Sequence, residues 1–281
     1  MSACVTCGSH LESTYCPTCG ERRFDHHALS LKHFFEHAFE AFAHFDSTII
    51  RSVKALLGDP GRLTADWSAG KRKPYLAPVQ LLLVMNLFYF ASHAIAPWNT
   101  LTTDLWTHMN WSTHQQIARE MVEAKLAKTG APLEDYRKKF DAKAEILAKS
   151  LVIVMAPMLA LAVFILQIGS RRYFVEHLVF ALHFYAFLLV YLGVSGPLTN
   201  LILGLMKKGG VQASAMAIDQ TVSLVAIVLL VTYLAMALKT VYRQAWWLTG
   251  AKALALVVAV VYVLQAYRFL LFLITYTSVK V

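Results

Sequence analysis

Four cysteines fall within the first 19 residues, in the stretch CVTCGSHLESTYCPTCG from residue 4 to residue 20, and they form two CxxC pairs, Cys4/Cys7 and Cys16/Cys19. Each pair can wrap a tight knuckle around one tetrahedral ion, and the glycine after each second cysteine eases the turn that aims backbone amides at the thiolates. Four thiolates close the coordination sphere, so the chemistry expected here is structural zinc binding rather than catalysis. Iron accepts the same ligand set but is the less common occupant of a small cytosolic ribbon. A disulfide is disfavoured where thiols stay reduced. A head this small has little core of its own, and the metal is what would fold it.

A second group of reactive side chains opens the apolar stretch 173–206, YFVEHLVFALHFYAFLLVYLGVSGPLTNLILGLM, where Glu176, His177 and His183 stand at the start of a run long enough to cross a bilayer. Ionisable groups facing lipid are costly, so these are expected to face the protein interior. On a helix Glu176 and His183 lie within about 20° of one face, whereas His177 is rotated by roughly 100°, so two different neighbours are implied. A metal site, a carboxylate–histidine proton relay and a pocket for a lipid head group all use such groups; a polar knot joining membrane helices uses them equally well. Arg268, two-thirds of the way along the last apolar stretch, and Asp219, at the start of the preceding one, have similar expected depths and are candidates for an ion pair, unless Arg268 snorkels alone. His33, His37, Glu40 and His44 recur at helical steps and form a stripe that a metal or pH-sensing role could use but that reads better as a solvated polar face.

Catalytic signatures are absent. An H-x-x-E-H helix ending at Glu176 and His177 would need histidine where the chain has Tyr173, and no HExxH, Walker loop, nucleophile elbow or dinucleotide fingerprint occurs. Composition agrees with a membrane protein: of 281 residues, 57% are hydrophobic and 15% charged, and mean hydropathy is +0.51. The formal charge of +9 is spread over loops and span ends rather than gathered in a patch, which fits topology and lipid head groups better than nucleic acid. The first residues, MSACVTCGSH, lack the apolar core of a secretory signal, so the head is expected in the cytosol.

These side chains need elements to position them. Residues 1–24 read as the zinc ribbon and 25–77 as an amphipathic helix, over 29–57, followed by a basic interfacial linker, GDPGRLTADWSAGKRKPYLAP. Residues 78–281 read as the membrane domain. Its spans are expected at 79–97, 150–169 with a bend at Pro157, 173–206 with a break or kink at GVSGPLTN, 220–238 and 253–278. A polar helical insert at 98–149 carries Trp98, Trp106 and Trp111 and is expected outside. The fold class is thus an all-α polytopic membrane protein of about five transmembrane helices with a small N-terminal zinc ribbon, its N-terminus cytoplasmic and its C-terminus periplasmic.

The motifs CVTCG and YCPTCGERR, DPGRL followed by GKRKPYLAP, FVEHLVFALHFYAF and ALKTVYRQAWW together resemble domain-of-unknown-function family 3667, bacterial inner-membrane proteins with a double-CxxC head. The resemblance covers most of the chain outside 98–149 and implies that Glu176, His177 and His183 belong to the family pattern; it implies no activity. The expected function is to bind or help move a lipid-like or small ligand, with the bilayer and a cytosolic protein as partners. The alternatives are a non-catalytic scaffold or regulatory subunit of a membrane complex and, third, an intramembrane metal-dependent enzyme.

Overall fold

The computed structural model describes residues 2–11, 13–23, 48–95, 100–209 and 214–280. Most of the expected amphipathic helix, with the stripe of His33, His37, Glu40 and His44, lies outside the described residues. The head carries two short antiparallel strands, β1 (Ser2–Ala3) and β2 (His10–Leu11), registered Ser2 to Leu11 and Ala3 to His10. Helices α1 (Thr48–Gly58) and α2 (Arg62–Ser68) lie at the foot of the bundle, and α3 (Pro78–Ile95) rises from it. The insert folds as α4 (Leu105–Asn110), α5 (Gln115–Thr129) and α6 (Leu133–Leu151). A 3-10 turn at Val152–Val154 leads into α7 (Met155–Leu166), and three long helices follow: α8 (Phe174–Lys208), α9 (Ala215–Tyr242) and α10 (Trp246–Ser278).

Among the described residues four stretches are long and apolar enough to cross a membrane, namely Leu133–Leu166, Phe174–Lys208, Gln220–Tyr242 and Trp246–Ser278, and α3 contributes a shorter apolar helix. In lipid the backbone must satisfy its own hydrogen bonds, which is why the apolar runs emerge as helices. The protein is an all-helical membrane protein with a small cysteine-bearing head. Its core is organised around α8: 72% of its most apolar window is buried, against 33% or less for the other three. Helices α3 and α7 pack along α8, and α10 packs along α9, α6 and α7.

Two expected irregularities take a different form. The departure in the second span falls at Val152–Val154 rather than at Pro157 itself, because proline at 157 offers no N–H to the carbonyl of residue 153 and its ring crowds that carbonyl. Pro197 does not divide the third span; α8 runs through it as one helix of 35 residues, about 50 Å long. Gly193, one turn before Pro197, is buried against Phe88 of α3, where a Cβ would meet Phe88 Cε1 at 2.8 Å, so GVSGP serves close packing here.

Tertiary contacts separate the two ends of the bundle. At one end, the head end, Tyr233 of α9 donates to Leu56 O, Arg172 to Val241 O, and Gln244 and Lys252 to Gln167 Oε1. At the other, the cap end, Tyr267 of α10 donates to Ala148 O and Arg268 to Thr100 O. Along α3, α6–α7, α8, α9 and α10 the described chain therefore traverses the bundle five times, and the head and the tail lie at opposite ends.

Candidate functional site

The head brings its four sulfurs together. The Sγ atoms of Cys4, Cys7, Cys16 and Cys19 lie within 4.8 Å of one another, with Cys4–Cys19 at 3.6 Å and Cys7–Cys16 at 3.5 Å. Four ligands at zinc–sulfur distance from a tetrahedral ion would stand about 3.8 Å apart, so the cage fits such an ion. Each CxxC closes on itself through Gly8 N to Cys4 O and Gly20 N to Cys16 O, with Gly8 and Gly20 at positive φ. The Ser9 hydroxyl, 2.9 Å from Cys16 Sγ, and the backbone amides of Cys19 and Thr18 hold the Cys16 thiol down to about 5, which favours the thiolate a metal needs. Such a cage can bind a metal ion and orient the head; with four thiolates it has no open position for a substrate.

The foot of α8 carries the second group. Arg171 at φ 53 turns the chain into α8, and Glu176 Oε2 accepts from Tyr173 N at 3.0 Å, capping the helix. Glu176 Oε1 takes Arg172 Nη1 at 2.6 Å, and the same guanidinium donates to Val241 O at 2.8 Å and lies 5.4 Å from the Tyr242 ring. His177 Nδ1 shares a hydrogen bond of 2.7 Å with Tyr242 Oη, the two rings stacking at 5.7 Å and 10°. Glu176 and His177 thus meet through Arg172 and Tyr242, and together they fasten the start of α8 to the end of α9.

His183 belongs to a different contact. Its Nδ1 shares a hydrogen bond of 2.9 Å with Thr64 Oγ1 of α2. Beside them a pocket is lined by Asp59, Gly61, Phe180, Phe184 and Tyr233 among others, with room for about one water molecule. The DPGRL motif builds its wall. Gly61, at φ +87, caps α2 and lies so close to α9 that an added Cβ would stand 2.6 Å from Ala237 O. Arg268 donates to Thr100 O at 3.1 Å; the side chain of Asp219 lies outside the described residues.

Sequence reasoning passed over three other polar groups. His108 and His114 are buried in the insert with Nδ1 and Nε2 2.9 Å apart, surrounded by Phe140, Phe269 and Phe272. Gln167 is buried at the end of α7 and accepts from Gln244 and Lys252. Glu21, directly after the second knuckle, is buried and accepts from the Arg72 and Lys73 amides. Only Glu21 carried a local signal, as the acid between CPTCG and RR.

No curated protein and no solved structure gives a significant match to the chain. Residues 46–90, which hold α1, α2, the DPGRL turn and most of α3, match the model of a family described as protein of unknown function (DUF3667).

Proposed function

We propose that the protein is a non-catalytic scaffold or regulatory subunit of a membrane complex, with a zinc-bound head as its exposed working surface. The observation that carries this reading is that Glu176, His177 and His183 each already hold a protein partner, Arg172, Tyr242 and Thr64. Polar pairs of this kind join membrane helices, and the space beside His183 takes about one water rather than a lipid-sized ligand. Zinc is the metal that suits a closed four-thiolate head, and the basic residues Lys71, Arg72, Lys73, Arg171, Arg172 and Arg243, all at the head end, support a cytosolic head in a cytoplasmic membrane.

A second reading, a small polar ligand or a proton bound at the foot of the bundle, draws on one observation: Asp59, Thr64 and His183 line the same pocket. The two are separated in cells lacking the gene and complemented with full-length variants. As a scaffold, Glu176→Gln and His183→Gln each cost about 1 kcal/mol of stability yet complement fully at normal abundance. Cys16→Ser, purified without the one zinc per chain found in the parent, fails to complement. Loss of complementation by abundant, folded Glu176→Gln or His183→Gln, with Cys16→Ser tolerated, would replace the scaffold by the ligand-binding reading.

A further inference from the structure

The contact between the head and the linker joins elements more than 50 residues apart, and at it one carboxylate oxygen gathers three hydrogen-bond donors. Glu21 Oε2 accepts from Thr6 Oγ1 at 2.8 Å, from Arg72 N at 3.1 Å and from Lys73 N at 2.9 Å. Glu21 is 5% exposed, so these bonds rather than water satisfy its carboxylate. Thr6 sits inside the first knuckle and Glu21 directly follows the second; the Glu21 carbonyl in turn accepts from Cys16 N at 2.8 Å. Both halves of the metal cage therefore fix where this carboxylate stands.

The linker side is built to receive an anion. Two successive backbone amides point at one oxygen, as in the concave anion sites formed by consecutive N–H groups. The same loop carries the positive charges of Lys71, Arg72 and Lys73, of which the Lys71 ammonium lies 3.8 Å from Asp66 Oδ1. The Arg72 guanidinium lies 4.3 Å over the Trp67 ring, and a Cβ at Gly20 would stand 3.7 Å from Lys73 Nζ, which places that ammonium at the knuckle. The loop is held from below, since Leu76 N donates to Ser52 Oγ at 2.8 Å and Arg51 donates to Pro74 O. It precedes α3 directly, where a membrane helix meets the polar head groups.

We propose that residues 71–73 form an anion site for a phosphate group, which Glu21 fills as an internal substitute while the head holds its metal. Losing the metal releases the knuckles, withdraws Glu21 and frees the two amides, beside the Lys73 ammonium, for a phosphate, either free or on an anionic lipid. A head whose buried apolar core is Cys4, Leu11 and Cys16 cannot hold the carboxylate in place by packing alone. The inference rests on metal binding by the head, so zinc content is measured in every sample and a failure there is read separately.

The test is amide hydrogen exchange at residues 71–73 in the full-length protein in phosphatidylcholine nanodiscs. Zinc-loaded protein exchanges slowly there, and Glu21→Ala with zinc still bound exchanges faster by about tenfold or more, with the isosteric Glu21→Gln in between. Chelator-stripped protein matches Glu21→Ala. Added inorganic phosphate that restores protection to the stripped protein identifies a free anion; restoration only in phosphatidylglycerol nanodiscs identifies the lipid head group. Equal exchange in the zinc-loaded parent and Glu21→Ala, or no restoration by either phosphate source, overturns the proposal.

Discussion

A methyl group at residue 61 would have nowhere to go. It would stand 2.6 Å from Ala237 O and 2.9 Å from Ala237 Cα, both backbone atoms of α9, at a φ of +87 that side chains rarely adopt. Gly193 offers a contrast, since its tightest neighbour, Phe88 Cε1 at 2.8 Å, ends a side chain that can turn aside. Gly61→Ala should therefore lower stability by about 3 kcal/mol or more and Gly193→Ala by about 1 kcal/mol. Thermal unfolding in detergent measures both, and equal losses would mean that the DPGRL turn is not seated on α9 as described. At this scale the sequence is legible wherever chemistry is local. The two CxxC pairs announce a four-sulfur cage, and Arg172 lies one helical turn from Glu176. The Thr64–His183 hydrogen bond spans 119 residues and the Tyr242–His177 bond spans 65, so no spacing rule connects them. Gly61 reads as a chain breaker, but nothing in its neighbourhood announces Ala237.

Helices were the most legible level, because a bilayer imposes length and polarity on every span. The element that changes surroundings midway is the stretch Leu133–Leu166, in which α6 and α7 are joined through the 3-10 turn at Val152–Val154, polar in its first half and apolar in its second. Periodicity identified the polar half as helical but gave no reason to join it to the span. The insert's small core of Leu105, Ala118, Val122, Tyr136, Phe140 and Ala144 was equally hidden, since Phe272 and Val279 of the C-terminal region complete it. Its histidine pair gives the insert an acid sensitivity. Burial, with His114 and Arg268 nearby, pushes His108 down from 6.5 to about 3, and burial lowers His114 as well. Burial favours the neutral form of both rings in the fold, so the unfolded insert binds more protons below about pH 6.5, and at His108 this holds down to about pH 3. Stability is full above the ordinary histidine value and falls as pH drops through that window, at up to roughly 1.4 kcal/mol per pH unit for His108, with His114 acting in the same direction. Amide protection factors along α4–α6, taken relative to the intrinsic exchange rate at each pH, should fall as pH is lowered through this range, and the double variant His108→Leu/His114→Leu should flatten that response; an unchanged slope would assign it to other groups.

At the scale of the molecule, five traverses place the head and the tail at opposite ends, an arrangement the sequence already implied through alternating apolar runs and basic flanks. Exposed tryptophans mark both ends, Trp106 and Trp111 on the insert and Trp246 and Trp247 where α10 begins, as expected for side chains at two membrane interfaces. Reporters fused at the tail and after Arg172 should accordingly report opposite sides, the tail outside and Arg172 in the cytosol; the same side for both would remove one traverse. The insert is fastened to the tail: Lys125 of α5 donates to Tyr276 O and Val279 O, and Tyr276 donates to Met121 O. During synthesis this sets an order of events. The insert emerges well over a hundred residues before its last core side chains, so it must wait, unfinished and with an apolar face bare, until α10 has crossed. A chain shortened to end before Phe269 should carry α4–α6 in a protease-sensitive state while α3, α7 and α8 still assemble, and limited proteolysis of that truncation would show whether completion of the insert marks the finished protein.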